Sequence, residues 1–178
     1  MKRTDYQINP EKMFSGDLMF LSNLYACEIP MNVLGHSFVF GSAEAAFQAG
    51  KCLDPGHVQL FTRVADGAAA KKLGERVPPR KDWDMYRLAW MKQVLTCKFT
   101  RNPELMKKLI DTYPLPLTNT NTWGDTFWGV CQGVGEDHLG RLLTQLRNEH
   151  LPESYPLPEG LDVLQFTHME QGSFPWNF

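Results

Sequence analysis

Ser42-Ala43-Glu44-Ala45-Ala46-Phe47-Gln48-Ala49-Gly50-Lys51 is a run of strong helix formers, with strand-like segments before it and helical ones after it. The alanines favour a helix and Ser42 or Gly41 can cap it, so a helix is predicted over 42–53. Glu44, Gln48 and Lys51 recur at i, i+4 and i+7. One face therefore carries a carboxylate, an amide and an ammonium, and the alanines and Phe47 take the other. An acid in the first turn also suits the helix dipole, so the pattern fits a plain capped helix as well as a chemical face.

Working outward, 25–29 and 36–40 read as short strands bracketed by Pro30 and Gly35, and 1–19 as polar and irregular. Downstream, 58–64 and 68–75 suit two short helices. The clearest helix is 82–99, where Trp83, Tyr86, Trp90, Met91, Val94, Leu95 and Phe99 repeat at helical spacing behind Asp82. That stripe is most simply core, Trp90 with it. Pro103 opens a helix to about 112, which Pro114 and Pro116 stop. Segment 117–135, rich in Thr, Asn, Gly and Trp, reads as loop with one or two short strands, and 137–149 as a last helix. The expectation is an α+β chain, a mostly helical single domain around a small β-sheet.

A length of 178 residues bounds this to one domain with a short extension. Composition (43% hydrophobic, 21% charged) excludes a disordered, collagen-like or coiled-coil chain. No apolar run approaches a membrane span, and no apolar core follows Lys2 and Arg3 as in a signal peptide, so a cytoplasmic protein without membrane contact is expected. Cys27, Cys52, Cys97 and Cys131 have no C-x-x-C spacing and no nearby His, so free thiols are expected and no metal site. Residues 63–108 hold 12 of the 18 Lys and Arg but 5 of the 20 acids. That is +7 within a net charge of −2 and leaves −9 elsewhere. Such a basic middle fits solvated helix faces or a phosphate-bearing ligand.

Two further constellations could carry chemistry. In 119–129, Trp123 and Trp128 flank Asp125, which suits stacking of a base or sugar beside a carboxylate. It equally suits a Trp-anchored loop whose Asp takes backbone hydrogen bonds. In Pro78-Pro79-Arg80-Lys81-Asp82-Trp83, two cations stand at a helix start that could hold an anion.

The order of these motifs is more specific than any one of them. Phe20-Leu21-Ser22-Asn23-Leu24-Tyr25, the 42–51 run, Arg80-Lys81-Asp82-Trp83-Asp84, Lys98-Phe99-Thr100-Arg101-Asn102-Pro103, Trp123-Gly124-Asp125-Thr126-Phe127-Trp128-Gly129 and the segment 133–143 follow in turn. Over about 14–149 this closely resembles the NADAR (YbiA-like) family. The resemblance implies that fold and cleavage of N-glycosidic bonds to ribose. Some members act on ribosylamine-type intermediates of riboflavin synthesis; others remove ADP-ribose from modified guanine in DNA. Carried over by motif, Glu44, Lys51 and Asp125 take the catalytic positions. Asn23, Gln48, Arg80, Trp90, Trp123 and Trp128 are expected to bind substrate. No cofactor is implied. The partners implied are a ribosyl-phosphate or ADP-ribosyl small molecule, or ADP-ribosylated nucleic acid.

The chain departs from the family pattern at three places. The histidine after the glutamate is Ala45, no acid lies in 117–123, where Asn119 or Thr120 stands instead, and Glu75 replaces an arginine. An ADP-ribose or nucleotide sensor without turnover is the alternative on the same fold. By position, 1–150 forms the N-glycosidase domain. The 151–178 extension is expected either to pack back on it or to move freely.

Overall fold

The computed structural model describes residues 6–64, 66–153 and 155. The readings of the 151–178 extension, its aromatic end included, fall almost wholly outside them. Two strands come first, β1 (Ala26–Val33) and β2 (His36–Ser42), paired antiparallel from Val33↔His36 to Ala26↔Ser42. Leu34 and Gly35 join them, both at positive φ (52° and 79°), as the two-residue hairpin turn with a right-handed twist requires. Both strands run longer than expected. Pro30 lies inside β1, opposite Val39, instead of ending it. A two-stranded sheet leaves each strand one open edge, where a residue without an N–H costs no ladder bond.

Among the described residues six α-helices follow in chain order: α1 (Ala43–Ala49), α2 (Pro55–Thr62), α3 (Gly67–Gly74), α4 (Trp83–Thr100), α5 (Pro103–Asp111) and α6 (His138–Glu149). Side chains cap four of them. Ser42 accepts from Ala45 N, Asp54 from His57 N, Asp66 from Ala68 and Ala69 N, and Asp137 from Gly140 N. Each cap satisfies N–H groups that have no partner within the helix. Between α5 and α6, β3 (Thr120–Asn121) and β4 (Val130–Cys131) pair in parallel as a second small sheet.

Helix α1 is the hub: it packs against α2, α3, α4, β1 and β2. All seven of its residues are buried. The two-faced reading of 42–53 is corrected on two counts. The helix ends at Ala49, and the face bearing Glu44 and Gln48 is covered as well. Its central position explains both, because neighbours close on every side. Of the segment read as 1–19, the described part, 6–19, holds more order than its polarity suggested. A 3-10 helix, Gly16–Leu21, sinks Leu18, Phe20 and Leu21 into the core.

Candidate active site

Four segments fix the surroundings of Glu44. The first is the turn Ser22–Leu24, where the Asn23 carbonyl accepts the Glu44 N–H at 2.9 Å. Close contact brings in the second: a Cβ on Gly67, the first residue of α3, would stand 2.6 Å from Leu24 Cα, so only glycine lets helix and turn meet. Within α1, Gln48 Nε2 donates to Glu44 Oε1 at 2.6 Å. The C-terminal end of α3 closes the group. The Gly74 carbonyl accepts from Lys51 Nζ at 3.1 Å, and its bare Cα faces Gln48, whose Oε1 a Cβ would meet at 2.1 Å.

Glu44 is 8% exposed and Gln48 7%. Burial pushes the Glu44 carboxyl above the usual carboxylate range, while the Gln48 hydrogen bond and the charges of Lys71 and Lys51 pull it back. Burial likewise depresses Lys51, against the charge of Glu44. An acid and an amine displaced towards each other in one cluster suit proton transfer near neutrality. Two acceptors here have no partner among the described residues, Asn23 Oδ1 and Gln48 Oε1, and buried acceptors of this kind favour a donor that arrives with a ligand.

Aromatic rings extend from this group. Trp128 meets Phe47 of α1 edge-on at 5.3 Å, and Phe47 touches Trp83 at 5.1 Å. Trp83 continues to Tyr86 at 6.1 Å, and Tyr86 stacks on Trp90 at 5.7 Å. Trp90 is 3% exposed, and its N–H donates to the Ala46 and Phe47 carbonyls at 3.1 and 3.2 Å. It anchors α1 to α4 from behind, and Gly50 leaves room for its ring. The Arg80 N–H bonds the Lys51 carbonyl, but its guanidinium grips Asp82 by two bonds of 2.6 and 2.9 Å and lies 4.2 Å from the Tyr86 ring centre. Asp82 therefore precedes α4 without capping it by its side chain.

The loop 117–135 is organised by Asn121, which donates to the Asp125 carbonyl and accepts from the Trp123 and Asp125 N–H groups. Asp125 Oδ1 accepts from Trp128 N at 2.9 Å and so fixes the ring that touches Phe47. Asn119, at a departure from the family pattern, donates to the Trp128 carbonyl. Trp123 is 56% exposed, with Lys12 over its ring. The structure thus gathers Asn23, Glu44, Gln48 and Lys51, links Trp128 and the Arg80 backbone to them, and leaves Trp123 exposed beside Lys12. Phe47, Lys71 and Gly74 were not singled out by sequence reasoning as parts of the site. Lys71 lies three residues before Gly74 on α3, a spacing that becomes informative only once α3 is docked on α1. Among the described residues, no three His, Cys, Asp or Glu side chains converge as a metal site.

Residues 12–150 match the family model of the NADAR domain. The N-glycosidase YbiA of Shigella flexneri serotype 5b (strain 8401) is 32% identical over 123 residues, 67% of this chain and 75% of its own. A riboflavin biosynthesis protein of Vibrio vulnificus (strain YJ016) is 31% identical over 149 residues, 80% of this chain but 39% of its own length. The NMR structure of the E. coli protein YbiA aligns with a TM-score of 0.67 at 28% identity, over 83% of this chain and 89% of that one. Fold and relatives together define the class, an α+β enzyme of the N-glycosidase type. The chain belongs to the NADAR family.

Proposed function

We propose that this protein hydrolyses the bond between C1 of a ribose, phosphorylated or ADP-ribosyl, and the nitrogen of a base or amine. The observation that carries the reading is the buried Glu44 carboxyl, clasped by Gln48 with Lys51 held beside it on Gly74. In the reaction the C1–N bond breaks with its electron pair leaving on nitrogen, which takes up a proton. Positive charge then spreads over C1 and the ring oxygen, and water adds at C1 and releases a proton. Glu44 in its ionised form stabilises that charge and steers the water. Lys51 in its charged form supplies the proton to the leaving nitrogen. Asp125 orients ribose hydroxyls or water through its free oxygen, and Trp128 and Trp123 offer faces for the base. Arg80 remains the phosphate ligand of this reading only if substrate displaces Asp82 from its guanidinium.

The depressed basicity of Lys51 also supports a covalent variant, in which the neutral amine adds to C1 of the ring-opened substrate, a C1=N iminium. A proton passes to the base nitrogen, which leaves as free amine to give a lysine imine that water hydrolyses to the sugar aldehyde and free lysine. Free cysteine thiols fit a reducing, cytoplasmic setting for either route. The test is release of free base from a panel: ribosylaminopyrimidine 5′-phosphate, ADP-ribosyl-guanine DNA and unmodified nucleosides. Turnover of either of the first two supports the reading, and the preferred one identifies the substrate. Tight ADP-ribose binding in calorimetry with no base released from any of them would make the protein a sensor instead. A lysine adduct trapped by borohydride during turnover would select the covalent variant.

A further inference from the structure

Lys98, on α4, is the most deeply buried charged side chain among the described residues, and this mechanism does not use it. It is 0% exposed. Among the described residues no carboxylate forms an ion pair with it. Its Nζ donates to the Ser22 carbonyl at 2.8 Å and lies 5.8 Å from the Tyr25 ring centre and 5.3 Å from that of Phe99. Burying an ammonium without an acid is costly, and a hydrophobic side chain of the same length would fill the space more cheaply. The cost is concentrated on one turn. Ser22 precedes Asn23, whose carbonyl holds the Glu44 N–H, and Leu24, which presses on Gly67. One end of the turn is thus pinned by Lys98, and its middle sets the start of α1 and the docking of α3.

We propose that Lys98 is a positioning residue for the Glu44 site: its charge holds the Ser22–Leu24 turn, and through it the Glu44 backbone, in the geometry that catalysis needs. This rests on the reading of Glu44 given above. A charged N–H bonds a carbonyl roughly twice as strongly as a neutral one, so the grip is firmest while Lys98 is protonated. Burial lowers its pKa to about 8, with Cys27 on β1 the one titratable group that raises it. Tyr25 faces it as a ring, and the Cys27 thiol is itself pushed up by burial. The grip therefore weakens as pH rises through about 8.

Stability moves the opposite way. The unfolded chain keeps the lysine proton up to its ordinary pKa of 10.5, so between about 8 and 10.5 it binds more protons than the native state. The Lys98 contribution to stability thus increases with pH over that window. Activity that falls near pH 8 in wild type but not in a variant with an untitratable donor at 98, while stability holds or rises, is the signature of positioning. A packing role alone would not produce it.

The experiment compares wild type, Lys98→Met and Lys98→Gln, with Glu44→Gln alongside, by base release from ribosylaminopyrimidine 5′-phosphate between pH 6 and 10. Melting temperature is measured at each pH. Lys98→Met is expected to lose about tenfold or more in kcat at pH 7 with KM changed by less than about threefold, because a displacement under 1 Å is enough for such a loss. The Ser22 carbonyl also accepts from Tyr25 N at 3.2 Å, so no acceptor is orphaned and the melting temperature should hold. Lys98→Gln keeps a donor that does not titrate, so its profile should lose the part of the alkaline fall that Lys98 sets near pH 8 and keep only the fall set by Lys51, the charged acid of the reaction. If Lys98→Met does not fold, this second variant alone decides. The inference is overturned if the variants match wild type in kcat and in the alkaline limb while Glu44→Gln is inactive. If Glu44→Gln is active, the failure lies with the reading of Glu44 itself.

Discussion

Gln48 Nε2 stands 2.6 Å from Glu44 Oε1, one helical turn apart, with both side chains buried. The spacing of 44 and 48 brings them together, and the packing of α3 over α1 removes the water that would otherwise loosen the pair. Gln48 thereby favours the ionised form of an acid that burial pushes towards neutrality.

Gln48→Leu removes that bond and should raise the Glu44 pKa further. A hydrogen bond to a charged group is worth about 1.5–3 kcal/mol, so the acidic limb of the pH–kcat profile should move up by about one pH unit. An unchanged limb would mean that Glu44 is not the titrating group.

Glu44 should cost stability at neutral pH. Its folded pKa lies above the ordinary 4.5, so its contribution is fully present below about 4.5 and is lost as pH rises through the folded value. Glu44→Gln should therefore raise the melting temperature at pH 7.5 relative to wild type, and do so less at pH 4.5. Scanning calorimetry at the two values checks the sign.

Gly74→Ala sets a methyl carbon 2.1 Å from Gln48 Oε1 and 2.4 Å from Cδ. Gln48 is held by Glu44 and has little room to yield. Overpacking of this kind costs about 1–3 kcal/mol, which urea unfolding will register. Turnover should fall further than stability explains, because the displaced amide is the one on Glu44.

Asp125→Asn keeps an oxygen to accept from Trp128 N and loses the charge; Asp125→Ala loses both. Asparagine keeps that bond and the shape of the half-buried side chain, so the melting temperature should hold within about 1 °C, while kcat should fall if Asp125 acts on substrate. Equal kcat for wild type and Asp125→Asn, with only Asp125→Ala impaired, would assign it to holding Trp128.

Local signals made much of this molecule legible. The leucine stripe of 137–149 announced α6, Pro103 announced α5, and the apolar stripe behind Asp82 announced α4, because breakers and periodicity act within a few residues. Glu44 and Gln48 were placed on one helix by spacing alone, while Lys51 falls two residues past its end. What spacing could not convey was burial. The 42–51 run is too short to reveal that helices and strands enclose it on every side. For the same reason Gly74 and Lys98 did not stand out as parts of the site. A glycine is marked by what its absent side chain would touch, and a lysine in an apolar stripe by the carbonyl it reaches 76 positions away. Arg80 read as a free cation because its grip on Asp82, two residues on, competes with a capping role that the sequence suggested equally well.

The central claim is that Glu44 stabilises the positive charge that develops at C1 as the C1–N bond breaks. Single-turnover release of base from ribosylaminopyrimidine 5′-phosphate by Glu44→Gln, at saturating enzyme and pH 7, tests it most directly. The isosteric amide keeps the shape of the site and removes its charge. The account predicts a rate lower than wild type by about a hundredfold or more, with substrate affinity within about threefold. A rate within about threefold of wild type would contradict it.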